Sequence, residues 1–314
     1  MSVSFYADGV ENDANLRRIE DAAHLLGIAS STSIDGRLIA VENAPGAREI
    51  YGRRPLQDDA TIAVGNERRG ISRRLLATAD ETVVIPTQSR TVTTLNVAAA
   101  AAVAGWFLLR GSGQQATAAR PEHRRPALLL VGHDHVEVGS SLRSAAAFGF
   151  RDVLLDDRGA GWFAGSSSVR REARAAARRH KNPLRVHPTT LAESARRYDE
   201  LVLVTASGSG NPLSRERLTR GIRQLVIVGA ELEDEEALAD SIGHVTVASL
   251  GLQPMQHEPL RLTASIALAE IGRQVGRRRP VPGPPPRAPR YEKAMDAAPD
   301  PDVLLVDPAE LLAF

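Results

Sequence analysis

The sequence predicts an α/β protein with parallel sheets, built as two tandem domains. Three observations predict it. Short apolar runs rich in Val and Ile alternate with helix-spaced segments along most of the chain. In the first half, Ile62–Val64 runs into Gly65-Asn66-Glu67, and Thr82–Ile85 runs into Pro86 and a polar loop. These two loops would lie side by side at one edge of a parallel sheet, where open α/β sheets bind ligands. The pattern then restarts at Ala127.

In chain order, Val3–Tyr6 reads as a short strand. Asn12–Leu26 has helical spacing (Leu16, Ile19, Ala22, Ala23, Leu26) and stops at Gly27, a common residue just past a helix end. Arg37–Val41 and Ala60–Val64 are strands, and Gly70-Ile71-Ser72 opens a helix. Thr94-Leu95-Asn96 leads into an Ala-rich helix that ends near Arg110. Residues 111–125 are polar and carry Gly, Pro and charge, as a linker does. Beyond them, strands are predicted at Leu128–Val131, Asp152–Leu155, Leu201–Thr205, Leu225–Val228 and His244–Val247. Helices are predicted at Val138–Phe148, at about 168–180, and at Leu260–Val275. Proline density over 277–290 forbids a helix or a central strand and implies an extended polyproline segment. The tail to residue 314 ends in an apolar stretch, which either docks on a surface or stays disordered. The expected domains are 1–110 and 126–276, with 111–125 as linker and 277–314 as tail.

At 314 residues with 43% hydrophobic residues, the chain has material for two cores. Aromatics make up only 4%, so those cores must be built from Ala, Val, Leu and Ile. The absence of cysteine excludes disulfides, thiolate nucleophiles and Cys-ligated metals. The first residues lack the basic and apolar segments of a signal peptide. The Ala-rich run at 97–109 is too short to span a bilayer. The expectation is a cytoplasmic protein with no membrane association and no metal. Lysine occurs only at Lys181 and Lys293, so nearly every cation is Arg. Arg grips phosphate with a planar fork, although genome composition also produces such a bias.

The two halves align. Asn15–Gly27 and Glu137–Gly149 have identical spacing between helix and closing glycine. IAVGNE at 62–67 pairs with VIVGAE at 226–231, and ETVVIP at 81–86 pairs loosely with GHVTVA at 243–248. The helix from Leu95 pairs with the helix from Leu260. The chain therefore reads as an internal duplication of one α/β domain. At these residues both halves resemble the SpoU/TrmH-type RNA methyltransferases of the SPOUT superfamily. The first half carries GNERRGIS, Ile85-Pro86 and TLNVAAAAA, which fit the family's second and third motifs closely. The resemblance implies SPOUT-like, trefoil-knotted parallel-sheet domains that form an intramolecular pseudo-dimer. It also implies S-adenosylmethionine held in a knot, and an active site built across two domains. Knots are rare, so this expectation rests on the resemblance alone.

The copies depart from the family pattern in complementary ways. The motif-one Arg falls on Asp21 in the first half and is kept as Arg143 in the second. The motif-one Asn is Asn15 in the first half and Glu137 in the second. The motif-three segment is Thr94-Leu95-Asn96 in the first half and Pro259-Leu260-Arg261 in the second. This implies one surviving composite site, with cofactor in the first domain's knot and Arg143 supplied by the second domain. The opposite site would combine Asp21 with Pro259 and Arg261 and should be inactive. The resemblance assigns cofactor binding to Val64, Gly65, Asn66, Gly70, Ile85, Thr87 and Leu95. It assigns catalysis to Arg143, Asn96, Thr94 and Glu67. Arg143 would clamp a phosphate and orient a ribose 2′-hydroxyl, because a guanidinium is too weak a base to take the proton. Asn96 and Thr94 also suit a helix start, and Glu67 also suits a loop tie.

The implied acceptor is RNA, rRNA or tRNA. Arg171, Arg174, Arg178 and Lys181 are candidate RNA-binding residues, since helical spacing puts the three arginines on one side. A solvated helix face is the competing reading. No added RNA-binding domain is evident, so a small-molecule or peptide acceptor, or a non-catalytic RNA-binding protein, stand as alternatives. Further homodimerisation remains open.

Overall fold

The computed structural model describes residues 1–89, 92–114, 125–161, 184–208, 210–218, 223–231, 234, 238 and 245–276. The first half runs β1 (Val3–Asp8), α1 (Asp13–Leu26), β2 (Ala29–Ser31), β3 (Arg37–Val41), β4 (Arg48–Glu49), β5 (Ala60–Gly65), α2 (Arg73–Thr78), β6 (Glu81–Val84) and α3 (Val97–Arg110). The second runs β7 (Ala127–Val131), α4 (His135–Ala147), β8 (Asp152–Asp156), β9 (Arg185–Pro188), α5 (Leu191–Ala195), β10 (Glu200–Thr205), β11 (Asn211–Pro212), β12 (Gln224–Val228), β13 (Val245–Ser249) and α6 (Leu260–Val275).

Helices α1 to α5 each start after a residue whose side chain accepts from backbone N–H groups of the first turn. The Asn12 carboxamide oxygen accepts from Ala14 N and Asn15 N at 2.8 and 3.2 Å. Asn96 caps α3 through Ala98 N at 3.0 Å. Asp134 caps α4 through Val136 N and Glu137 N at 2.7 and 3.1 Å, which is why α4 begins at His135 and not at the predicted Val138. Strands β2, β4, β9 and β11 and helix α5 were not anticipated. They are two to five residues long, too short to show a periodic pattern.

Both sheets are parallel throughout. The first has the order β2-β1-β5-β3-β6-β4, and the second β11-β13-β10-β12-β7-β8-β9. Read from β8, the second sheet repeats the first strand for strand, with β9 as an added edge. The sheets meet through their helices: α3 packs on α1 and on α6, and α6 packs on α4. One apolar core runs through both halves, from Phe5 and Val103 to Phe148 and Ile266, all fully buried. The junction is also reciprocal in its polar contacts. Gln88 N and Ser89 N, after β6, donate to Ala147 O at the end of α4 at 2.8 and 3.0 Å. Gln253 N, after β13, donates to Leu25 O at the end of α1 at 2.7 Å. Trp106 Nε1 donates to Leu250 O at 2.9 Å, and Tyr51 Oη to Ala269 O at 3.2 Å. Among the described residues no helix is long and apolar enough to cross a membrane.

The buried carboxylate of Glu81 anchors the amino end of the first sheet. Arg37 and Arg53 hydrogen-bond to it, and Arg48 lies 4.0 Å away. Burial alone would raise its pKa, but the hydrogen bonds and charge of Arg53, with the charges of Arg37 and Arg48, hold it below the ordinary carboxylate range. A depressed folded-state pKa gives stability that is present above the ordinary value and lost as pH falls through the folded value. Glu81→Gln should therefore lower unfolding free energy by about 1–2 kcal/mol at neutral pH, because the arginines it leaves behind are partly solvated. The gap to wild type should shrink as pH falls below the ordinary Glu value of 4.5. Denaturant titrations across pH check it; a gap independent of pH would count against the ionic origin.

Candidate functional site

The site forms at the carboxyl ends of β5 and β6. Val64 is buried, and Gly65 is approached so closely by the chain at Gly70 and Ile71 that an added Cβ would lie 2.2 Å from backbone atoms of both. Only glycine permits that approach. Residues 66–70 form a tight loop: Asn66 N donates to Gly70 O at 3.0 Å and Gly70 N to Asn66 O at 2.8 Å. Gly70 has φ +66°, a left-handed conformation that favours glycine. The loop is tied down on several sides. Asn66 Oδ1 accepts from Arg68 N at 2.9 Å, and Asn66 Nδ2 donates to Gly9 O at 2.7 Å. Glu42 accepts from Ile71 N at 2.9 Å, and Asp8 from Ser72 N at 2.6 Å.

Three polar side chains join at this edge. Asn15 Nδ2 donates to the Glu67 carboxylate, and Asn96 Nδ2 donates to Asn15 Oδ1 at 3.1 Å. Asn15 and Asn96 are both buried, whereas Glu67 is exposed. Sequence reasoning left Asn15 out of the candidate set. Its position six residues before Asp21, matching Glu137 and Arg143, was the signal that could have included it. Ile85, Thr87 and Leu95 lie on the partly buried segment between β6 and α3. The backbone N–H groups of Thr87 and Leu95 reach no acceptor among the described residues.

Arg143, on α4 of the second half, reaches this segment. Its Nε donates to Thr94 O at 3.2 Å and its Nη2 to Thr94 Oγ1 at 2.7 Å. Burial lowers its pKa, yet an arginine remains protonated at neutral pH. Among the described residues no carboxylate pairs with it. It is a partly buried cation whose hydrogen bonds go to Thr94. Val64, Gly65, Asn66, Gly70, Asn96, Thr94 and Glu67 thus share one edge of the first sheet with Arg143.

The corresponding place in the second half is built differently. Where the first half has the Asn15–Asn96 pair, the second has Glu137 and Arg261, with side chains 8% and 3% exposed. Glu137 Oε1 accepts from Arg261 Nε at 2.9 Å and Oε2 from Arg261 N at 3.0 Å. Arg18 of the first half donates to Glu137 Oε1 at 2.9 Å and to Asp21 Oδ2 at 2.6 Å. Burial alone would lower the Arg18 pKa, but its bond to Asp21 and the charge of Glu137 raise it. Asp21 and Arg261 do not meet; each is held by another partner. The RNA-binding candidates Arg171, Arg174, Arg178 and Lys181 lie outside the described residues, as do most of the linker and the whole tail.

Residues 9–106 match the SpoU rRNA Methylase family. No curated protein sequence matches the chain. Among solved structures, it is similar to the SpoU methyltransferase AviRb from Streptomyces viridochromogenes in complex with AdoMet, at 14% identity, covering 84% of this chain and 88% of that one, with a TM-score of 0.35. It is similar to rRNA methyltransferase from Sinorhizobium meliloti at 13% identity over 68% and 71%, TM-score 0.33. A third is ribosomal RNA small subunit methyltransferase E from Neisseria gonorrhoeae bound to S-adenosyl methionine, at 17% identity over 46% and 66%, TM-score 0.34.

Proposed function

We propose that this chain, whose residues 9–106 match the SpoU rRNA Methylase family, is an S-adenosylmethionine-dependent RNA methyltransferase with one composite site between its halves. RNA ribose 2′-O-methylation is the reaction this reading favours. The halves are read as tandem copies forming a pseudo-dimer within one chain, which the repeated strand order supports. A tandem partner is present at an effective concentration set by the linker, independent of dilution. The family's knot belongs to the same reading. Its support is the segment between β3 and β5, which straps across the β6–α3 chain: Ile50 N, Leu56 N and Gly52 N donate to Val84 O, Leu108 O and Gly113 O at 3.0, 2.9 and 3.2 Å.

The observation that carries the proposal is Arg143 of one half bonded to Thr94 of the other, its charge unmatched. The cofactor, when bound, supplies a methyl group activated on a sulfonium. The residues present suit it: a close glycine approach at Gly65, and backbone donors without acceptors at Thr87 and Leu95. Val64, Asn66, Gly70 and Ile85 complete that wall. Arg143 holds a phosphate of the acceptor and orients the hydroxyl, and a phosphate oxygen takes the proton. Asn96, fixed by Asn15, and Thr94 offer neutral polar groups beside the reacting atoms. Glu67 keeps Asn15 in place. Holding the acceptor in line for displacement is the main task left to the protein.

At the mirror position, the buried Glu137–Arg261 pair occupies the place of the Asn pair, so that place should not take a second cofactor. Calorimetric titration of the full chain with S-adenosylhomocysteine should give about one site per chain; two equal sites would count against the composite reading. Tritium transfer from labelled cofactor should go to total RNA and not to a small-molecule extract.

A further inference from the structure

The sequence segments that follow β5 and β12 carry opposite charges. Residues 66–76 read NERRGISRRLL, with four Arg and one Glu, net +3. Residues 230–240 read AELEDEEALAD, with four Glu and two Asp, net −6. In the first half, Arg68, Arg69, Arg73 and Arg74 are all exposed. Arg69 pairs with Glu11, while Arg68 and Arg74 have no carboxylate partner among the described residues. Arg68 is set on the loop that the Asn66, Glu42, Asp8 and Gly9 contacts hold, and Arg74 on the first turn of α2, which follows it. Arg68 follows directly on Glu67, which is bonded to Asn15 and through it to Asn96.

We propose that the Arg68–Arg74 rim is the docking surface for the phosphate backbone of an RNA. The proposal rests on the RNA methyltransferase reading and deepens it by naming where the acceptor lies. Arg68 and Arg69 on the held loop, with Arg73 and Arg74 on the first turn of α2, follow a phosphate chain at little ordering cost, because their backbone is already fixed. Summed charge of one sign beside a site raises the local concentration of the opposite charge, and the reverse sign lowers it. Arg143 receives one phosphate inside the site while the rim holds neighbours outside it.

The test uses the full chain and bulk RNA. Arg68→Glu combined with Arg74→Glu should weaken RNA binding about tenfold or more at 0.1 M salt. The slope of log affinity against log salt should fall by roughly 1.4, as expected when two single-strand phosphate contacts are lost. KM for RNA should rise while kcat at saturating RNA and affinity for S-adenosylhomocysteine stay near wild type. Arg196→Glu, an equal kind of change on an exposed arginine of the second half, should leave binding almost unchanged. The proposal is overturned if the double variant keeps wild-type RNA affinity and salt slope, or if Arg196→Glu weakens binding as much. If the wild-type protein binds the cofactor but neither binds nor methylates any RNA, the RNA reading itself fails, and the rim fails with it.

Discussion

Arg143→Ala should lower kcat by at least about 10²–10³-fold, the scale on which a preorganised charged donor acts at developing negative charge. Affinity for S-adenosylhomocysteine should stay close to wild type, because Arg143 comes from the second half and, among the described residues, hydrogen-bonds to Thr94 at the edge of the cofactor wall. Arg143→Lys keeps a positive charge but loses the two-pronged donation, so it should recover only part of the rate. The fold should survive either change, since no carboxylate among the described residues depends on this guanidinium. Single-turnover methylation beside calorimetry separates the two quantities. Loss of cofactor binding with the rate would show that Arg143 is part of the cofactor wall and not a holder of the acceptor.

The second large effect is on stability, at the mirror position. Glu137→Gln should cost about 3–5 kcal/mol, because the Arg261 guanidinium is left buried without its carboxylate. The double change Glu137→Asn with Arg261→Asn rebuilds the neutral pair that Asn15 and Asn96 form in the first half. It should restore most of the loss, because both partners of the ion pair leave together and Arg18 keeps Asp21. Denaturant unfolding of the single and double variants measures the coupling. A cost below about 1 kcal/mol for Glu137→Gln would mean that the pair is solvated and not a buried lock.

Much of the architecture could be read before any coordinates. The long helices and central strands carry strong patterns: α1 ends at Gly27 as its glycine predicts, and α3 and α6 follow their apolar runs. The short edges, β2, β4, β9 and β11, could not be read, because strands of so few residues take their conformation from neighbours and not from their own pattern. At the site, Gly65, Glu67, Thr94 and Asn96 stood out by their motifs; Asn15 stood out as the motif-one Asn without being given a role, and Arg18 did not stand out. Asn15 matters through its bonds to residues 52 and 81 positions away, and Arg18 through a bond to a residue 119 positions away. No local spacing encodes such partners.

By itself the sequence determined the alternation of strands and helices and the contrasting residue types at Asp21 and Arg143 and at Asn96 and Arg261. Only the tertiary structure decided which of these side chains meet. Arg143 finds Thr94, whereas Glu137 finds Arg261 and Arg18, because the pairing follows from how α1, α3, α4 and α6 pack around one shared core. Charge and polarity are properties of a residue, but whether a charge is neutralised or left available depends on what the fold brings within about 3 Å of it.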